Sequence, residues 1–204
     1  GQPHGGRCRL EHGSVGTSEM SDATVTQDGG VRGDAVSAVH RLTRWVDDFP
    51  VDGVRFGDLT PVFAEGPALR SVVTALTEGF ENVDLVAGID ARGFLLGAGV
   101  GLELGCGVLA VRKAGKLPPP VHSRTYDLEY GTAELQIPTS IELAGRRVLV
   151  VDDVLATGGT VDATARLLAE QGAVVVGATV VLEIEALDGR SKCSDYPLAC
   201  LVRV

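Results

Sequence analysis

The chain is short of aromatic residues, of cations and of cysteine, and it has no long apolar run. Phe, Tyr and Trp make up 4% of its 204 residues, so Val, Leu, Ile and Ala must build most of the core. Lys and Arg number 18 against 27 Asp and Glu, a net charge of −9. That balance argues against a nucleic-acid partner. It leaves a small anionic substrate open, because such a ligand feels local charge more than the total. The four cysteines, Cys8, Cys106, Cys193 and Cys200, form no C-x-x-C pair and no zinc-type spacing. They read as reduced thiols of a cytoplasmic protein. No apolar stretch reaches 18 residues without a charge, so neither a transmembrane helix nor a membrane partner is expected. The first residues also lack the apolar core of a signal peptide.

Glycine is plentiful, and it concentrates first at the N-terminus. Residues 1–33 hold eight glycines and almost no periodic apolar positions. They cannot bury enough surface to offset the entropy of ordering, so they are expected to form a disordered tail ahead of one domain over 34–204. From Asp34, a plausible N-cap, residues Val36, Val39, Leu42, Val46 and Phe49 recur at helical spacing. Pro67 opens a second helix reaching Gly79, with Leu69, Val72, Val73, Leu76 and Phe80 inward. Short apolar runs then alternate with helices. Strands are expected at 84–89, 108–111, 147–151 and 173–183, and helices at 94–104 and 160–171. This is the pattern of an α/β fold with a doubly wound, mainly parallel sheet and helices on both faces. Between Arg112 and Arg147 the pattern changes to a β-hairpin. Tyr126, Leu128 and Tyr130 alternate on one arm, Ala133, Leu135 and Ile137 on the other, with Gly131-Thr132 between them. An excursion of this size usually serves as a lid or binding loop.

The most informative segment runs from Val148 to Thr160, Val-Leu-Val-Val-Asp-Asp-Val-Leu-Ala-Thr-Gly-Gly-Thr. A buried strand delivers two carboxylates, Asp152 and Asp153, at the end where open α/β sheets bind ligands. A small turn, Ala156-Thr157-Gly158-Gly159, then enters a helix at Thr160. Such a turn gathers unpaired N–H groups and the positive end of the helix dipole, which suits a phosphate. Thr157 and Thr160 add hydroxyl donors, and the glycines let the backbone close around an anion. The two acids would repel that phosphate unless they face hydrogen-bond donors, and a ribose diol supplies them. A phosphate beside a diol describes a ribose 5-phosphate. A Walker A loop is excluded, because no Gly-Lys-Ser/Thr follows the glycines. A second signal is a local inversion of charge. Residues 104–126 carry Arg112, Lys113, Lys116 and Arg124 and no acid, as a pyrophosphate site would require.

The Val148–Thr160 segment resembles the phosphoribosyl-diphosphate signature of type I phosphoribosyltransferases. Four further segments narrow the resemblance to adenine phosphoribosyltransferases, in that family's order. They are Phe49-Pro50 to Gly53 with Phe56; Ala91-Arg92-Gly93-Phe94; Val111-Arg112-Lys113 with Gly115-Lys116-Leu117-Pro118; and Tyr126-Asp127-Leu128-Glu129-Tyr130-Gly131. The resemblance covers roughly residues 35–190. It implies transfer of ribose 5-phosphate from phosphoribosyl diphosphate to adenine, with Mg²⁺ carried by the diphosphate substrate rather than held directly by protein ligands. It also implies a homodimer. Asp152, Asp153 and Ala156–Thr160 would hold the ribose 5-phosphate. Asp90, Ala91, Arg92, Arg112, Lys113 and Lys116 would meet pyrophosphate, with a cis peptide between Asp90 and Ala91. Arg55, Phe56 and Tyr130 would line the base pocket, and Glu129, with Arg92, would act in catalysis. The chain departs from the family's usual pattern at Gly57, where an arginine is common, and in the Pro118–Pro120 run.

Two rivals are weaker on the residues themselves. A 6-oxopurine transferase usually presents a lysine to the exocyclic oxygen, and residues 182–190 contain none. A transcription regulator on this fold would need an N-terminal DNA-binding module, for which 33 glycine-rich residues are too few.

Overall fold

A computed structural model describes residues 30–49, 55–128 and 131–204. In chain order the helices are α1 (Val31–Leu42), α2 (Thr60–Ala64), α3 (Gly66–Leu76), α4 (Gly93–Leu104), α5 (Gly159–Glu170) and α6 (Gly189–Lys192). The strands are β1 (Arg44–Val46), β2 (Phe56–Asp58), β3 (Leu85–Ile89), β4 (Gly107–Lys113), β5 (Val121–Leu128), β6 (Gly131–Pro138), β7 (Arg147–Leu155), β8 (Val174–Glu183) and β9 (Leu198–Arg203). Seven strands form one sheet in the order β5-β6-β4-β3-β7-β8-β9. The five from β4 to β9 run parallel, and the β5–β6 hairpin joins antiparallel to β4 through Arg112↔Gln136 and Lys113↔Leu135.

Strand period explains why both faces are covered. Every residue of β3 is buried, the mark of a parallel strand sandwiched between helices. Leu85, Ala87 and Ile89 enter one core with Val148 and Val150 and with Leu167 and Leu168 of α5. Val86, Leu149 and Val151 point the other way, into a core shared with α1, α3 and α4. The doubly wound expectation is therefore met, and the hairpin extends the sheet edge.

Several boundaries differ from the sequence expectation. Helix α1 begins at Val31, with Gly30 before it and Asp34 in its first turn. It ends at Leu42, not Phe49. Thr43 turns extended there, its hydroxyl donating to the Val39 carbonyl at 2.6 Å. Trp45 and Val46, residue types that favour strands, pair instead with Gly57 and Phe56. Phe49 is 51% exposed. Helix α3 stops at Leu76, three residues short of Gly79, whose φ of +83° belongs to the following turn. Strand β7 runs on to Leu155, so Asp152 and Asp153 lie within the strand rather than at its end. Gly131 and Thr132 are ladder residues opposite Leu128 and Asp127, not the hairpin turn. The last strand, β9, has no expected counterpart.

Glycine sets the distance between α4 and the sheet. A Cβ on Gly88 would stand 2.7 Å from the Gly93 carbonyl oxygen, and one on Gly97 3.1 Å from Gly88 Cα. Both obstacles are backbone and cannot swing aside. Gly88→Ala is therefore expected to destabilise the fold by about 1–3 kcal/mol through overpacking. In differential scanning calorimetry Tm should fall by roughly 2–4 °C for each kcal/mol lost in a chain of this size.

Candidate active site

The parallel register sets the end of β3 beside the middle of β7, with Gly88 opposite Val151. Asp90, Ala91 and Arg92 follow β3, and Asp152 and Asp153 follow Val151 on the neighbouring strand. These residues, with Lys113, Tyr126 and Thr160, line a cleft of about 430 Å³. The Asp90–Ala91 peptide is cis, as the resemblance implies.

Consecutive strand residues face opposite ways, which gives the two acids different surroundings. Asp153 is buried, and its Oδ2 lies 2.7 Å from Arg92 Nε. The N–H is not aligned as a hydrogen bond, so that oxygen has no aligned donor. Half-buried Asp152 turns its Oδ1 toward the Asp153 N–H at 2.9 Å. Burial, and then the charge of Asp153, push the Asp152 carboxyl well above the ordinary carboxylate range. The glycine after Arg92 makes this arrangement possible: a Cβ on Gly93 would sit 2.8 Å from the Val151 carbonyl oxygen and 3.0 Å from Asp152 Oδ1.

Residues Ala156, Thr157, Gly158, Gly159 and Thr160 line a second, smaller recess at the start of α5. Gly158 takes φ +77°, and the Asp162 N–H makes the first helical bond, to the Gly158 carbonyl at 2.9 Å. The N–H groups of residues 159–161, which all line the recess, therefore lie outside the helical ladder, at the end of α5 where the helix dipole is positive. Thr160 lines both hollows, and its hydroxyl meets the Tyr126 hydroxyl at 3.2 Å.

The expected cations divide. Arg92 and Lys113 line the cleft. Arg112 stands behind it, with Nε on Asp90 Oδ2 at 2.9 Å and its guanidinium over the Phe94 ring at 5.3 Å. Lys116 is exposed on the bend after β4. Arg124 pairs with Glu170 of α5. Burial would raise the Asp90 carboxyl. The Arg112 hydrogen bond, the Lys113 N–H and the two positive charges together outweigh it, and the result lies below the ordinary range.

The expected base-pocket residues divide too. Phe56 lies under the Arg92 guanidinium, 5.1 Å from ring to cation, and edge-on to Phe49 at 5.2 Å. Arg55 turns elsewhere, over the Trp45 ring at 4.9 Å and toward Asp47 at 3.5 Å. Glu129 and Tyr130 lie outside the described residues. Gly57 packs beneath Trp45, where a Cβ would meet the Leu182 methyl at 3.0 Å and the indole at 3.1 Å.

Two participants escaped the sequence reading. Tyr126 appeared there as an alternating hairpin residue and as the first residue of a family-like segment, with no role of its own, yet it lines the cleft. The visible signal was its spacing from Arg124, since residues two apart share a strand face, and both contact α5. Gly189, buried under the recess, left no local pattern at all.

Replacing Arg112 with methionine should release Asp90. Its carboxyl loses its main charged partner while its burial stays, so its titration midpoint should move upward. Side-chain carboxyl NMR titration of Arg112→Met against the parent checks this.

Comparison with known proteins agrees with this geometry. Residues 68–201 match the phosphoribosyl transferase domain family. The adenine phosphoribosyltransferase of Nocardia farcinica is 62% identical over 172 residues, which cover 84% of this chain and 90% of that relative. The crystal structure of adenine phosphoribosyltransferase from Rhodothermus marinus superposes with a TM-score of 0.79 at 38% identity, covering 83% of this chain and 98% of that one. The Saccharomyces cerevisiae enzyme, crystallised with an imino-altritol bisphosphate and adenine, gives 0.78 at 33% identity, covering 82% and 98%. With the acids of β7, the recess at α5 and Arg92 gathered on one cleft, and with identity of this extent along the chain, the protein belongs to the adenine phosphoribosyltransferase family.

Proposed function

We propose that this chain transfers ribose 5-phosphate from phosphoribosyl diphosphate to N9 of adenine, releasing pyrophosphate and forming AMP. The observation that carries the reading is the junction at Arg92. Its guanidinium touches the buried acid Asp153 on one side and the Phe56 ring on the other. A residue so placed sits where ribose, leaving group and base must meet.

The 5-phosphate occupies the recess formed by Ala156, Thr157, Gly158, Gly159 and Thr160, held by backbone N–H groups and two hydroxyls. Asp153 and Asp152 accept from the ribose diol. Pyrophosphate lies against Ala91, Arg92 and Lys113, with Asp90 and Arg112 fixing the loop behind and Lys116 reaching in from the bend. Cations there stabilise the charge that develops as the bond to C1′ breaks. Adenine stacks near Phe56, with Tyr130 beside it. Glu129 takes or shares the base proton, and the hairpin excludes water from a centre prone to hydrolysis. Because Arg55 is engaged with Trp45 and Asp47, only its backbone serves the base pocket in this reading.

Mg²⁺ enters with phosphoribosyl diphosphate, and the oxygens of Asp152 and Asp153 suit the hydration shell of such a hard cation. When bound, the ion neutralises part of the diphosphate charge. A homodimer is supported by α4, whose one charged residue is Glu103. Leu95 and Leu102 are 57% and 84% exposed on it, with Val108 of β4 exposed nearby. A helix with apolar residues on its outer face as well as its inner one belongs largely in an interior, and a second copy of the chain would supply one. Cytoplasmic residence is supported by the free thiols of Cys106, Cys193 and Cys200. Among the described residues no helix is long and apolar enough to cross a membrane.

The decisive assay follows pyrophosphate release with phosphoribosyl diphosphate and Mg²⁺. Adenine is expected to be used far better than hypoxanthine, and comparable kcat/KM for the two bases would overturn the assignment. Asp153→Asn keeps one acceptor oxygen but loses the charge that strengthens a bond to a ribose hydroxyl. It is expected to lower kcat/KM for phosphoribosyl diphosphate about ten- to a hundredfold, measured by steady-state kinetics at saturating adenine.

A further inference from the structure

The recess at the start of α5 is supported from below by a segment far along the chain. Gly189 opens α6 directly beneath it. A Cβ on Gly189 would collide with the Ala156 carbonyl oxygen and stand 2.7 Å from the Gly158 nitrogen. A Cβ on Gly158 would in turn collide with the Gly189 carbonyl, with Gly189 Cα only 3.1 Å away. Two glycine backbones thus meet with no room for a side chain on either. The neighbouring Cys193 thiol donates to the Gly158 carbonyl at 3.8 Å. Burial first of all pushes that thiol upward in pKa, so it keeps the proton it donates.

What holds this segment in place is an ion pair. Arg190 directs Nε and Nη2 to the two oxygens of Glu183, at 2.8 and 2.5 Å, and Nη1 to the Leu198 carbonyl at 2.8 Å. Glu183 is buried at the end of β8, in register with Leu155 on one side and Arg203 on the other. The Arg190 hydrogen bonds, with help from Arg203, hold its carboxyl down at about 2 against the opposing effect of burial. A forked pair of this kind is directional as well as charged. It fixes the residue on either side of Arg190 relative to the sheet.

We propose that Arg190, locked to Glu183, is a positioning residue for the phosphate recess: it presses Gly189 against Ala156 and Gly158 and so keeps the N–H groups of residues 159–161 aimed at the 5-phosphate. The role rests on the reading of that recess as the phosphate site. Arg190 itself touches no substrate. The support should therefore appear in recognition of the phosphorylated substrate and not in recognition of the base.

The test is steady-state kinetics on the full chain for Arg190→Met, Arg190→Lys, Gly189→Ala and, within the recess itself, Thr160→Val. Arg190→Met and Gly189→Ala are expected to raise KM for phosphoribosyl diphosphate roughly tenfold while KM for adenine and kcat stay within about twofold. Arg190→Lys, which keeps the charge but not the fork, should fall between. A merely structural role would lower Tm and the active fraction and leave both KM values unchanged. Gly189→Ala leaves both charged residues present and perturbs the contact itself, so it keeps the test decisive if Arg190→Met folds poorly. An unchanged KM for phosphoribosyl diphosphate in folded Arg190→Met and Gly189→Ala, with Thr160→Val impaired, overturns the positioning role alone. Silence in all four variants overturns the phosphate reading and the positioning role with it.

Discussion

The catalytic end of this molecule depends on how closely α4 approaches the sheet. Gly88, Gly93 and Gly97 let helix and strand backbones touch. That contact delivers Arg92, the residue before α4, to the second half of β7 with its guanidinium against Asp153. A side chain at any of the three glycines would lift the helix, and Arg92 would leave the acid. The cis peptide, the cleft and the stacking of Arg92 on Phe56 all lie downstream of this one spacing. A core built from small aliphatic residues suits it, because close backbone approach needs little side-chain volume between layers.

Much of this was legible because it depends on local chemistry. The Val148–Thr160 segment states its strand, its turn and its helix in thirteen consecutive residues, and all three are present, with the strand four residues longer and the helix one residue earlier than expected. The two acids on the strand and the glycine turn into α5 follow from residue type alone. What could not be read is set by partners distant in sequence. Helical spacing from Val36 to Phe49 outlasts the helix itself, because Trp45 finds a strand partner in Gly57. Arg55 looked like a base-pocket residue until Trp45 and Asp47 claimed its guanidinium. Lys116 belongs to a basic stretch that the fold splits into cleft-lining, second-layer and exposed positions. Strand β9, Leu198–Arg203, is an apolar run of only five residues before Arg203, and its place in the sheet is set by the β8 edge that it joins.

The electrostatics show how an acidic chain accommodates an anion. The two arginines of the site are not loose charges. Arg92 rests on Asp153 and Arg112 on Asp90, so the charges are paired within the cleft before any ligand arrives. Paired cations keep their geometry and avoid mutual repulsion, at the cost that a substrate must compete for Arg92. The two β7 acids also divide their labour. One is burdened by burial and its neighbour's charge, the other is engaged by an arginine. A ribose diol meets two acceptors of unequal character rather than a symmetric pair.

The position of β9 bears on how firmly the recess is held. This last strand supplies the Leu198 carbonyl to Arg190 and Arg203 to Glu183. It also receives Arg32 of α1 on the Cys200 carbonyl at 2.7 Å. The first described helix and the final strand are thus stitched together. Loosening β9 from the sheet edge would free the Leu198 carbonyl from Arg190 and Arg203 from Glu183 together, so the floor beneath the α5 recess is only as firm as the edge strand that braces it. Fraying at that edge would reach a phosphate site that no residue of β9 lines.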